Sequence, residues 1–253
     1  MNLSSLLIFL ISVFIGGYLQ TLIGFAMGMV VVAFCVTLEI TTVADTALAL
    51  NVLSMTNAAV VLPKIWRHTD WPGLWLSLLG LVPGTIGGVF LLGMLSSDHT
   101  WALRLLIGAV IMLGGVALFL KPQPRAQRSG PASFTAAGAA AGVMGGLFGI
   151  AGPPVVFHLY HQPSSILTIR ATLLMVFATL AAVRLVAVAA EPNMDMSTGL
   201  TAGIFAVPVV VASSWLCGRF PPPASPAAVR RIAFIMLIAM GGFTILTTLF
   251  GVS

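Results

Sequence analysis

The stretch Gly142-Val-Met-Gly-Gly-Leu-Phe-Gly-Ile-Ala-Gly-Pro-Pro-Val-Val-Phe157 decides how this chain is built. It lies inside an apolar segment, Phe134 to Leu159, yet carries five glycines and a Pro-Pro pair. Glycine lets backbone approach backbone or ligand closely, and proline suits the first turn of a helix but disrupts its interior. The pattern therefore predicts a helix to about Leu147, an unwound turn through Gly149 to Gly152, and a second helix from near Pro153. Helix breaks at membrane depth are tolerated only where the freed backbone groups line a cavity or are buried in protein. A weaker copy of the pattern lies near the N-terminus, and the two together read as the walls of a transport site.

The surroundings place these breaks in a bilayer. Of the 253 residues 59% are hydrophobic and only 7% charged, with a mean hydropathy of +1.10, whereas soluble domains carry roughly 25% charged residues. Long apolar runs without strand alternation define an all-α polytopic membrane protein, not a barrel. The net charge of +5 is no nucleic-acid signal, because the basic residues fall in short loops between apolar runs. Cys35 and Cys217 both sit inside apolar runs and read as small core residues, neither disulfide nor metal pair. The N-terminal segment lacks Lys, Arg and a small-residue cleavage site, so no removable signal peptide is expected.

Full-length spans of about 20 apolar residues are expected at Val43–Leu62, Leu74–Leu95, Trp101–Leu120, Ile166–Ala190, Gly199–Cys217 and Ile232–Phe250. Two segments, Leu3–Thr37 and Phe134–Leu159, contain the Gly-rich breaks. The first would reach roughly 50 Å as one helix, too long for a hydrocarbon core of about 30 Å. Each is therefore expected to form a re-entrant or half-membrane helical hairpin.

A shift of 125 positions puts Gly17 on Gly142, Leu22 on Leu147, Gly24 on Gly149, Ala26 on Ala151 and Val30-Val31 on Val155-Val156. It also puts Pro83 on Pro208 and Gly93 on Gly218. The ordered series predicts a duplication: a first repeat over residues 1–120, a linker at 121–132, and a second repeat over 133–253. Loops 63–71 (Lys64, Arg67), 121–132 (Lys121, Arg125, Arg128) and 218–231 (Arg219, Arg230, Arg231) are basic and expected in the cytoplasm. The loops around Glu39 and Asp45, Asp98, and Glu191 and Asp195 are poor in Lys and Arg and expected outside. Equivalent loops then fall on opposite sides. The halves are predicted to be inverted copies, each with three spans and one hairpin, with both termini external.

Inverted repeats with discontinuous helices are the plan of secondary transporters, with the site near the midplane. An exposed helix N-terminus after each break favours an anion. The candidate binding residues are Gln20, Thr21, Gly24 and Gly28 in the first break and Gly149, Gly152 and Pro153 in the second. For single glycines, helix–helix packing is the competing reading. Asn51 is a further binding candidate or a helix–helix hydrogen-bonding group. Arg184, about six residues from the outer end of its span, either attracts an anion or snorkels to the headgroups. His158 either carries a coupling proton or packs as an ordinary histidine; with His161 it shares a helix face, but nothing near in sequence completes a metal site.

The early Gly-Gly-x-x-Gln-Thr-Leu-Ile-Gly-Phe-Ala-Met-Gly segment and its counterpart Gly-Gly-Leu-Phe-Gly-Ile-Ala-Gly-Pro-Pro-Val-Val resemble the sulfite exporter TauE/SafE family, also called the toluenesulfonate uptake permease family. Two halves joined by a basic linker match as well, and the resemblance covers essentially the whole chain. Met27 and Met29 depart from the more glycine-rich pattern common there. The resemblance implies movement of sulfite, organosulfonates such as sulfoacetate, or related anions across the bacterial inner membrane, driven by an ion or proton gradient. No cofactor and no metal are expected; the partners are a small anion, a coupling proton or ion, and lipid. A membrane-embedded enzyme is disfavoured, because His-Glu-x-x-His, Gly-x-Ser-x-Gly and paired intramembrane aspartates are missing. A passive anion channel or an accessory subunit is the alternative function.

Overall fold

The structure, a computed structural model, describes residues 3–38, 40–96, 124–150, 152–190 and 196–220, with scattered positions between 101 and 116 and between 235 and 249. Ala151, the acidic loop residues Glu39, Asp98, Glu191 and Asp195, the basic Lys121, Arg230 and Arg231, and most of the expected spans 101–120 and 232–250 lie outside the described residues.

The described part is all-helical. Helices α1 (Leu3–Ile23), α2 (Met27–Thr37), α3 (Val43–Ile65) and α4 (Trp71–Ser96) come first, with a single 3₁₀ turn at Trp66–His68 between the last two. After the linker follow α5 (Pro131–Phe148), α6 (Gly152–Tyr160), α7 (Ile166–Ala189), α8 (Ser197–Phe205) and α9 (Val207–Arg219). Among these residues six helical stretches are long and apolar enough to cross a membrane, α8 and α9 counting as one.

Both Gly-rich segments break where glycine and proline dictate. α5 stops at Phe148 with Gly149 left-handed at φ 70°, its N–H donating to the Gly145 carbonyl. α6 restarts at Gly152, followed by Pro153 and Pro154 in its first turn. In the first half Gly24 is left-handed at φ 85°, and its N–H donates to the Gln20 carbonyl at 2.8 Å. The left-handed glycine lets each helix end without a Cβ clash.

The arms of each broken pair are unequal. α1 has 21 residues and α5 has 18, so they reach about 31 and 27 Å. The return arms have 11 and 9 residues, about 16 and 13 Å. Only the return arms are too short to span. α2 is apolar on every side and correspondingly enclosed, with Val30 to Ala33 all at 0% exposure. The expected span Gly199–Cys217 is interrupted: α8 and α9 meet at Ala206, two residues before Pro208, which offers no N–H to the carbonyl of residue 204.

Packing follows a repeated scheme. α3 crosses α7 at the centre, α1 lies on α9, and α5 lies on α4. α3 also packs on α8 and α9, as α7 packs on α4. The α4–α5 contact is the closest. Gly80, Gly84 and Gly88 face Gly138, Gly142 and Gly146, each set at four-residue spacing. A Cβ on Gly84 would sit 2.6 Å from the Ala139 carbonyl oxygen, and one on Gly146 would sit 2.7 Å from Gly88 Cα. Such small-residue ridges let helix backbones touch where no hydrophobic drive separates lipid from protein. The scattered helical positions meet in the same way, Gly108 against Gly241.

Details of the two halves coincide. Thr42 caps α3 by accepting from Asp45 N–H, and Ser165 caps α7 by accepting from Thr168 N–H, both at 3.1 Å. A Cβ on Gly24 would lie 2.9 Å from Arg170 Cα, five residues into α7. One on Gly149 would lie 2.9 Å from Ala47 Cα, five residues into α3.

Candidate functional site

The two breaks meet. A Cβ on Gly28 would lie 3.5 Å from Ile150 Cγ1 and 3.6 Å from the Gly149 carbonyl oxygen. Beside this junction is a narrow cavity of about 20 Å³, room for roughly one water-sized group. Its polar wall is Gln20 of α1 with Asn51 and Ser54 of α3; its apolar wall is Phe177, Leu180 and Ala181 of α7. Gly28, Met29, Gly149 and Ile150 supply backbone between them.

The electrostatic character of this space is set by donors. Gln20 is 2% exposed and Asn51 1%, and the amide nitrogens of both, Nε2 and Nδ2, have no hydrogen-bond partner. A buried polar group without a partner costs about 1–3 kcal/mol, so each is a group awaiting an acceptor. The first turn of α2 faces the same space. The N–H of Val30 is the first bonded within that helix, to the Ala26 carbonyl, leaving the preceding N–H groups without intrahelical partners. Ala26 also lines the cavity and holds φ 103°, rare for any residue but glycine.

The sequence-derived candidates divide. Gln20, Gly28, Asn51 and Gly149 line one cavity. Thr21 does not line it; its Oγ1 accepts from Asn57 Nδ2 at 2.8 Å, and the same nitrogen donates to Ser214 Oγ at 2.8 Å. That buried cluster ties α1, α3 and α9 together. Gly24 rests on Arg170, and Gly152 and Pro153 open α6. His158 is half-buried near the linker. Its ring stands edge-on to Phe134 at 4.5 Å, and Gln162, bonded to its carbonyl, also receives Ser129 N–H. His161 Nδ1 donates to the Phe157 carbonyl.

Arg184 does not take the snorkelling reading. It is 0% exposed, so it neither snorkels outward nor stands at an open mouth. Its Nε donates to the Gly146 carbonyl at 3.0 Å, an oxygen that the break at Gly149 deprives of its helical partner. Nη1 and Nη2 have no partner. Sequence reasoning missed Ser54, one turn beyond Asn51 on the same face, and the α4–α5 ridge, whose Gly-x-x-x-Gly spacing was the available signal.

Apolar helices enclosing a small donor-lined cavity at two meeting breaks define a polytopic α-helical membrane protein with an internal polar site. The chain belongs to the sulfite exporter TauE/SafE family, whose model matches residues 8–244, a family of exporters and not of enzymes. It is 41% identical over 226 residues to a probable sulfite/organosulfonate exporter TauE of Cupriavidus necator, covering 89% of this chain and 88% of that one. It is also 28% identical over 180 residues to a probable inner membrane transporter protein TsaS of Comamonas testosteroni, covering 70% and 72%. No solved structure matches.

Proposed function

We propose that this protein is a secondary transporter that moves a small sulfur oxyanion, sulfite or an organosulfonate, across the bacterial inner membrane by alternating access, coupled to a proton or ion gradient. The names of its relatives support the substrate class and the location. The observation that carries the reading is the pair of buried, unpartnered amide donors, Gln20 Nε2 and Asn51 Nδ2, on one cavity where the breaks meet. Amide and backbone N–H groups match sulfonyl oxygens without a permanent opposite charge to hold the anion too tightly. The small size of the space supports alternating access: in this reading the break segments part to admit sulfite.

In this reading the halves, 1–120 and 133–253, are inverted repeats with re-entrant hairpins. Two sets of contacts support it. Leu6 and Phe9 of α1 share a groove with Ser197 and Thr198, and Gly199 abuts Asp45, so the first hairpin starts and finishes at the α8 end of the molecule. Gln162 Oε1 accepts from Ser129 N–H at 3.0 Å, so the second starts and finishes at the linker end. Asp70, which follows α3, is at that end too, paired with Arg128 at 2.9 Å.

The test is sulfite binding to purified protein by titration calorimetry, then flux in proteoliposomes with and without a proton gradient. Gln20→Leu and Asn51→Leu should each weaken sulfite binding by about tenfold or more while the protein stays folded. Unchanged binding in the double variant would refute the site, and gradient-independent flux would make the protein a channel.

A further inference from the structure

α7 carries two arginines, one on each side of the residues it contributes to the cavity lining. Arg170 is seven residues before Phe177, and Arg184 seven after it. Seven residues are close to two helical turns, so the three positions share one stripe of α7. Phe177 lines the cavity. The lining also takes in Leu180 and Ala181, so at about 1.5 Å per residue Arg170 Cα is roughly 10 Å along the helix from the nearest lining residue and Arg184 Cα roughly 4.5 Å.

Both cations are short of partners. Arg184 Nη1 and Nη2 and Arg170 Nε are buried without a hydrogen bond, and neither side chain pairs with a carboxylate among the described residues. A buried guanidinium is costly in a membrane protein and faces the interior or a pathway. Its planar fork suits bidentate contact with an oxyanion. The two differ in access: Arg170 is half-buried, whereas Arg184 is sealed.

We infer that Arg170 and Arg184 are the inner and outer waiting positions of the transported anion, one on each side of the cavity along a single stripe of α7. This rests on the sulfur-oxyanion reading above. With the basic linker in the cytoplasm, Arg170 meets the anion arriving from or leaving to that side. Arg184 meets it on the external side and is released from enclosure when that side opens. Both residues sit on the helix that crosses α3 at the centre, so the anion passes from one fork to the amides and on to the other fork.

The experiment measures sulfite uptake in inside-out and right-side-out membrane vesicles holding wild type, Arg170→Gln, Arg184→Gln or Arg184→Lys. Arg184→Gln should raise the half-saturating sulfite concentration at the external face by about tenfold or more, with the cytoplasmic face little changed. Arg170→Gln should show the reverse, and Arg184→Lys should recover part of the external loss. Arg184 pairs with no carboxylate among the described residues, so its removal strands no buried counter-charge and Arg184→Gln should fold; Arg170→Gln, at a half-buried position, is the second, independent arm. If each variant impairs both faces equally, or Arg184→Lys is no better than Arg184→Gln, the two-position inference is overturned. If wild type does not bind sulfite in the calorimeter, the oxyanion reading falls, and this inference with it.

Discussion

Ala26 is the residue where local conformation and site coincide. Its φ of 103° lies where an L-residue is strained by about 1–3 kcal/mol, and it lines the cavity between Gly24 and Gly28. Ala26→Gly should therefore raise the stability of the detergent-solubilised protein by about 1 kcal/mol, seen as a higher melting temperature. Gly149 is the converse. Its φ of 70° would cost alanine about 1–2 kcal/mol, and a Cβ there would also press on Ala47 at 2.9 Å. Gly149→Ala should melt lower than wild type, and by more than the conformational cost alone. Of the cavity lining, Gln20, Asn51, Gly28 and Gly149 were picked out in the sequence, because polar or flexible residues stand out in an apolar run. The enclosure of Arg184 was not: distance along a span says how deep a side chain starts, while burial depends on which neighbour its face meets.

Among the helices, the α4–α5 ridge makes the sharpest demand. Gly84 and Gly142 each stand against backbone of the facing helix, so a side chain there forces the pair apart. Gly84→Leu or Gly142→Leu should destabilise by at least about 2 kcal/mol, read as lost folded yield in size-exclusion chromatography. Gly87, one turn from Gly84 but with nothing within 4 Å of a Cβ, should accept leucine with full yield. The helix ends at the second break were readable from Gly and Pro to within a residue, since those residues act through their own backbone. The interruption at Ala206 was not anticipated. Pro83 and Pro208 look alike in sequence, yet α4 runs on through Pro83 while α8 ends before Pro208; nothing local to the two prolines distinguishes them.

For the molecule, the proposed inverted arrangement puts the α8 start outside and the linker in the cytoplasm. Cys35 and Cys217 are buried, so introduced thiols report cleanly. A membrane-impermeant maleimide applied to intact spheroplasts should label Thr198→Cys but not Gln127→Cys, both at exposed positions. The opposite labelling would overturn the orientation, and equal labelling of both would overturn the assignment of opposite sides. Glycine spacing is what makes a duplication expected in the sequence. The direction in which each half faces its partner was not, because packing between distant helices leaves no periodic mark of its own.

The exchange of partners between the halves also governs how the chain is made. α4 finds its closest neighbour in α5, and α1 packs as much on α9 as on α2, so neither side of the linker completes its own contacts. During synthesis the glycine face of α4 waits in the bilayer until the ribosome has delivered residues beyond Gly146. A first half expressed alone should accordingly be cleared by membrane proteases. Expressed beside the second half from a separate message, it should accumulate and co-purify with it, the two fragments rebuilding the bundle without a covalent link.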